Sequence, residues 1–181
     1  MKVILKKVLA VLLGDYEIYW VYRKDIPSSV VDTKLSAGVS FKTLSEDDLL
    51  NKSGLFEQQK NYLGEQAIGY GLYADGQLVS ACFYWFAERY KQRGFICLPN
   101  NAAKLVQIVT APQQQGKGYA AMLLSQSAVA MQRQGFKQLY ARVWHNNHAS
   151  NAIFKKNQWQ RLYLRIRVFP LGRSLTFSLP I

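Results

Sequence analysis

Cysteine is nearly absent: the 181 residues hold two, Cys82 and Cys97, and no CxxC pair. That excludes a disulfide framework and a cysteine-rich zinc site, and two thiols beside bulky apolar neighbours, in ACFYW and FICLP, fit buried residues in a reducing, cytoplasmic compartment. Histidine is as scarce: His145 and His148 stand three residues apart without companion ligands, so no metal is expected. Acidic residues are few too, 11 against 23 lysines and arginines, which leaves a formal net charge of +12. So basic a surface attracts polyanions, whether nucleic acid, an anionic membrane or a small ligand carrying phosphates. Nucleic acid fits least, because the aromatic residues fall mainly inside strand patterns and no RNA-recognition signature occurs. With 49% hydrophobic and 19% charged residues, and no repeat or low-complexity stretch, the chain reads as one folded unit.

Long apolar runs are also missing. The amino-terminal MKVILKKVLAVLLG has the lysines of a signal peptide, but its run Val8 to Leu13 is short, lacks a small-x-small cleavage site and cannot span a bilayer. On a helical period Ile4, Leu5, Val8, Val11 and Leu12 share a face. Such a face either packs on the domain or lies on an anionic membrane surface, so residues 1–14 are a candidate peripheral contact. The expected division is an arm and linker over 1–38, ending in IPSSVVDTKLSAGV, and a domain over 39–181.

Within that domain the elements follow from local chemistry. Val39 to Leu44 reads as a strand, and Ser45 before Glu46, Asp47 and Asp48 starts a helix. Asp75 and Gly76 form a two-residue turn inside GYGLYADGQLVSACFYWFA, a hairpin signal. AKLVQIVTAP is a strand ending near Pro112, and a helical pattern from Gly118 to Gln134 stops at Gly135. QLYARVW alternates as a strand, a helix capped by Asn147 runs to Asn157, and RLYLRIRVF and SLTFSL close the chain as strands. The order implies a mixed α/β domain with a central sheet and flanking helices.

The stretch PQQQGKGYA joins a strand to a helix through two glycines. Gly116 and Gly118 would leave room for anionic oxygens at the unpaired amides of the first helical turn. It is neither a P-loop, since Lys117 is followed by Gly118 and Tyr119, nor a dinucleotide fingerprint, since Ala121 takes the last glycine's place. Gln115, Gly118 and Ala120, after the TAP of Thr110 to Pro112, resemble the Arg/Gln-x-x-Gly-x-Gly/Ala signature of the GNAT superfamily of acetyl-CoA-dependent N-acetyltransferases. Asn147, Ser150, Phe154, Lys156 and Trp159, in NHASNAIFKKNQW, resemble its second motif.

The resemblance implies a GNAT-like fold with a splayed V between the strand before the loop and QLYARVW. Acetyl-CoA would lie with its pantetheine arm along Ile108, Val109 and Thr110 and its pyrophosphate on Gln115, Gly116, Lys117, Gly118, Tyr119 and Ala120. Asn147, Ser150, Phe154 and Lys156 would flank it. The reaction would be attack of an amine on the thioester, with the Val109 amide facing the developing oxyanion. The family's usual catalytic pair is missing: Phe154 stands where a tyrosine often serves as acid, and NNAAKLVQ lacks the glutamate that strand often carries. Gln158 replaces a glycine before the terminal aromatic. His145, near the mouth of the V, and Glu88 are the substitute candidates for a base, with Tyr84 and Tyr140 as candidate proton donors. Each also has a plainer reading, as surface or capping histidine, solvated ion-pair partner and packed strand tyrosines.

LLGDYEIYWVYR, CFYWFAERYKQRGF and LYARVWHNNHAS are similar to bacterial GNAT proteins associated with surface-polysaccharide synthesis, which implies a small, anionic amino-sugar acceptor. A protein or peptide amine, or a CoA-binding module without catalysis, is the alternative.

Overall fold

The computed structural model of the chain describes residues 16–27, 35–50, 54–170 and 173–180. Eight strands share one mixed sheet: β1 (Tyr16–Asp25), β2 (Val39–Leu44), β3 (Ala67–Ala74), β4 (Gln77–Trp85), β5 (Ala102–Thr110), β6 (Gln138–Trp144), β7 (Gln160–Val168) and β8 (Leu175–Pro180). Their spatial order is β2-β3-β4-β5-β6-β1-β7-β8. Two short helices, α1 (Asp47–Leu50) and α2 (Gly54–Glu57), precede the hairpin; α3 (Tyr119–Arg133) follows β5 and α4 (His148–Lys156) follows β6.

The punctuation works as the residue types require. Asp75 and Gly76 turn the β3–β4 hairpin, both at positive φ (49° and 77°), as a two-residue primed turn demands. The Ser45 hydroxyl accepts from the Asp48 amide while the Asp48 carboxylate accepts from the Ser45 amide at 2.8 Å, a reciprocal cap before α1. Gly135 ends α3 at φ 89°. Asn147 caps α4 by accepting from the Ser150 amide at 3.0 Å.

Tyr16–Asp25 corrects the expected division at residue 38. This segment is no part of an arm; it is β1, hydrogen-bonded between β6 (Tyr19↔Trp144 to Asp25↔Gln138) and β7 (from Tyr16↔Val168). Tyr19, Val21 and Tyr22 are buried there. Both neighbours come from the far end of the chain, so the pairing has no local signature. Residues 1–15, with the proposed membrane-contacting stretch 1–14, and linker residues 28–34 lie outside the described residues.

Helices α3 and α4 cover one face of the sheet. Leu123, Leu124, Ala128 and Met131 of α3 and Phe154 of α4 pack on Tyr70, Leu72, Tyr84 and Leu139. Each fully buried leucine or phenylalanine contributes about 1.5–3 kcal/mol by leaving water. On the opposite face Leu49 of α1 and Phe56 of α2 pack on Leu78, Ala81 and Phe83. Beside them the segment 89–98 lays Tyr90 and Leu98 against Trp85 and Tyr140. The two thiols differ from the expectation that both are buried. Cys82 is enclosed, its thiol pushed up to about 12 by burial, whereas Cys97 is exposed. No helix among the described residues is long and apolar enough to cross a membrane.

Candidate active site

β5 and β6 run parallel but pair only from Ala102↔Gln138 to Leu105↔Ala141. Beyond that point β5 follows β4 as far as Thr110↔Ser80, and β6 follows β1 as far as Trp144↔Tyr19. The strands splay into the expected V. Its cause is a bulge: the β4 register passes from Tyr84↔Leu105 to Phe83↔Gln107, so Val106 is an extra residue that bends β5 away from β6.

The bulge also decides which amides open into the V. The Ala111 amide donates to the Val79 carbonyl at 2.9 Å, and antiparallel pairing alternates in steps of two, so the amide of Val109 faces Ala81 on β4. The Val109 carbonyl faces the same way and accepts from the Ser80 hydroxyl at 2.9 Å. Ile108 and Thr110 therefore present their backbone groups to the V. This corrects the expectation for Val109, whose side chain packs on the opposite face of the sheet with Ala111.

After β5 a single 3-10 turn, Pro112–Gln114, leads to Gly116 (φ 80°) and Gly118 (φ 84°), and Gly118 caps α3. Both glycines occupy left-handed backbone, and a Cβ on either would meet nothing within 4 Å. The loop is thus an open cradle in front of the first turn of α3. The Met122 amide already bonds to Gly118, so the amides of Tyr119, Ala120 and Ala121 have no partner within the helix. Together with the helix dipole they form a site for anionic oxygens.

A groove of about 420 Å³ runs from this cradle between β5 and α4, lined by Thr110, Gln115, Tyr119, Ile153 and Lys156 among others. It meets a second cleft of about 240 Å³ at the mouth of the V. Ile108 and Ser150 line both, so groove and cleft adjoin at these two residues. Asn151 holds their far wall in place: its amide donates to the carbonyls of Trp144 (3.0 Å) and Asn147 (2.7 Å), while its oxygen accepts from the Tyr22 hydroxyl at 2.7 Å. That ties α4 to the ends of β6 and β1.

Most residues singled out in the sequence come together here. Ile108, Thr110, Gln115, Gly116, Gly118, Tyr119, Ala120, Ser150 and Lys156 line the groove, and Asn147 and Phe154 line the V mouth. Lys117 lies outside the lining, its ammonium donating to Gln114 at 2.8 Å on the surface. The candidate bases do not join the groove or the cleft. His145 leans the other way: its Nδ1 stands 3.1 Å from the Ile18 carbonyl on β1, and since a carbonyl only accepts, Nδ1 carries the proton. Glu88 sits in a separate surface cleft with Glu65, Gln66, Arg89 and Gln92, where it pairs with Lys91 at 2.7 Å. Tyr84 is buried against α3, bonded to Ser127 at 2.8 Å, with burial pushing its phenol well above the usual range. Tyr140 is buried too and donates to Gln138 at 3.1 Å. Among the described residues no group of three His, Cys, Asp or Glu side chains could hold a metal.

Three neighbouring cations, two lining the V mouth and one buried beside it, escaped the sequence reading. Arg93, from the 3-10 turn Arg89–Arg93, and Arg142 of β6 line the cleft, and no carboxylate lines it. Lys104 of β5 is 2% exposed, with no hydrogen-bond partner for its Nζ among the described residues. Burial, joined by the charges of Arg142 and Arg93, lowers its pKa to about 7. The signal in the sequence was a lysine inside an otherwise apolar strand.

The sequence profile of the Acetyltransferase (GNAT) family matches residues 37–158. A search of the curated proteins finds no relative. Among solved structures, a GNAT-family acetyltransferase from Novosphingobium aromaticivorans superposes with a TM-score of 0.62 at 16% identity, covering 86% of this chain and 64% of that one. A GCN5-related N-acetyltransferase-like protein from Streptococcus suis gives 0.62 at 13%, covering 89% and 65%. An aminoglycoside acetyltransferase from an uncultured soil metagenomic sample, in complex with sisomicin, gives 0.50 at 11%, covering 67% and 88%. The chain spans just under two thirds of the first two, and at these identities the likeness concerns the fold. The profile match extends over the V, the glycine loop and α4, and the chain belongs to the GNAT acetyltransferase family.

Proposed function

We propose that the chain transfers an acetyl group from acetyl-CoA to a primary amine on a small acceptor, with an amino sugar as the favoured class. The observation that carries this reading is the adjoining of two sites: an open glycine cradle at the α3 amino terminus, whose groove shares Ile108 and Ser150 with the cleft at the V mouth. The fold-level likeness to aminoglycoside acetyltransferases supports the amino-sugar class.

The cradle fits coenzyme A. Gly116 to Ala121 offer unpaired amides to a pyrophosphate, Lys156 adds a positive charge to the groove wall, and the outward-facing backbone of Ile108 and Thr110 suits an extended amide-bearing arm. When bound, acetyl-CoA supplies a thioester whose carbonyl carbon the amine attacks. The Ile108 amide, free of β4, is oriented to donate to the carbonyl oxygen. The Ser150 hydroxyl, at the amino-terminal end of α4, lies where groove and cleft adjoin and can relay a proton to the departing sulfur, taking in its place the proton that the attacking nitrogen loses. No described side chain lining the cleft is a carboxylate base, so the acceptor's ammonium gives up its proton to water before the attack.

Coenzyme A release, followed with glucosamine, a dipeptide and spermidine as amine panel, tests the reading. Release that rises at least about tenfold over hydrolysis with glucosamine is the expected outcome. Acetyl-CoA binding without release on any amine would instead assign the chain to non-catalytic binding, and release confined to the dipeptide would move the acceptor to protein amines.

A further inference from the structure

Arg93 and Arg142 at the V mouth, and Lys104 buried beside it, each have an aromatic face against them. Arg93 lies over Tyr62 (5.0 Å to the ring centroid) and Trp85 (5.1 Å). Arg142 lies over Tyr19 (5.1 Å) and Trp144 (5.9 Å). Lys104 stands 4.4 Å over Phe95. Ring faces hold a guanidinium in place without using its N–H groups. Among the described residues the carboxylate paired with these cations is Glu17, 3.9 Å from Arg142 and bound more closely to Arg167 at 2.9 Å. Neither Arg93 nor Lys104 has an ion pair with any described residue, and Lys104 is buried as well.

A folded chain gains little in stability from enclosing an unpaired lysine beside two guanidiniums, of which Arg93 has no ion pair among the described residues and Arg142 shares Glu17 with Arg167. Such an arrangement is resolved by a negative charge brought from outside.

We propose that Arg93, Arg142 and Lys104 form a recognition site for an anionic group, phosphate or carboxylate, carried by the amine acceptor. The site rests on the acetyltransferase reading only in calling its ligand an acceptor. The two guanidiniums, which both line the cleft, supply forked donors that match either anion. Lys104, behind them, supplies charge at close range and in a medium where it is poorly screened. The acceptor's anion would be clamped at the V mouth, which fixes the amine at a set distance from the Ile108 amide.

Calorimetric titration of the full chain with three amino sugars tests the site without any turnover: glucosamine, glucosamine 6-phosphate, and muramic acid, which carries a carboxylate. At least one anionic probe is expected to bind ten times or more tighter than glucosamine, and which one does identifies the anion. The preference is expected to fall to less than threefold in Arg142→Met and in Arg93→Met, with acetyl-CoA affinity unchanged in both. Equal affinity for all three sugars in the unaltered chain overturns the proposal, whatever the variants do. So does a preference that survives in the double variant, if that variant melts cooperatively. Loss of acetyl-CoA binding would strike the donor reading alone, and a selective anionic sugar that is never acetylated would leave the site standing while removing the transfer reaction.

Discussion

Gly118→Asp is expected to weaken acetyl-CoA binding by at least about 100-fold while the chain still folds. Gly118 has φ 84°, caps α3 and fronts open space where a side chain would stand. Aspartate there would set a carboxylate in the space reserved for the pyrophosphate, against unpaired amides that it would satisfy in the ligand's place. Gly118→Ala separates the causes. Its Cβ meets no atom within 4 Å, so it costs only the backbone strain of left-handed alanine, about 1 kcal/mol, and is expected to lower affinity far less than aspartate. Calorimetry on both variants, with thermal melts alongside, checks this; equal losses in the two would mean that loop conformation, and not the cradle, governs binding.

Lys104→Met is expected to make the protein more stable, by about 1–4 kcal/mol at neutral pH. The lysine is buried without a partner, and burial lowers its pKa to about 7 while the unfolded chain keeps the ordinary value near 10.4. The sign follows from proton counting. Between pH 7 and about 10.4 the unfolded lysine holds its proton and the folded one gives it up, so the natural chain gains stability as pH rises across that window. Below pH 7 the folded site must carry the charge and the full penalty applies. The advantage of the methionine variant is therefore greatest at and below pH 7 and shrinks toward pH 10. Denaturant melts across this range measure it; a constant difference would place the Lys104 charge in solvent. A residue that costs stability and yet lines up with Arg93 and Arg142 is the pattern expected at a binding site.

Much of this architecture is readable from local chemistry. Asp75-Gly76, Ser45 before its acids, Asn147 and Gly135 each dictate a turn or cap by side-chain or backbone freedom, and the elements they bound stand where those residues put them. The glycine loop is legible for the same reason: two glycines between a strand and a helix have few other uses. β1 was not legible, because its partners β6 and β7 lie more than a hundred residues downstream and a central strand rich in aromatics does not alternate visibly. The Val109 amide was misjudged because the Val106 bulge shifts the alternation, and a bulge depends on the register with β4. The burial of Lys104 depends on the segment 89–98, whose Phe95 ring lies 4.4 Å from its ammonium nitrogen. Gln158, by contrast, carries a visible trace: it stands where a glycine would suit the fold, and its φ is 59°.

Amide hydrogen exchange with and without acetyl-CoA tests the central claim most directly, because it reads the cradle and the V one residue at a time. The predicted result is slowed exchange at Ile108, at Thr110 and across Gly116 to Ala121, with Val109 already protected by β4 and unchanged. Exchange that stays the same at those positions, or slows instead around Glu88 and Arg89, would contradict it.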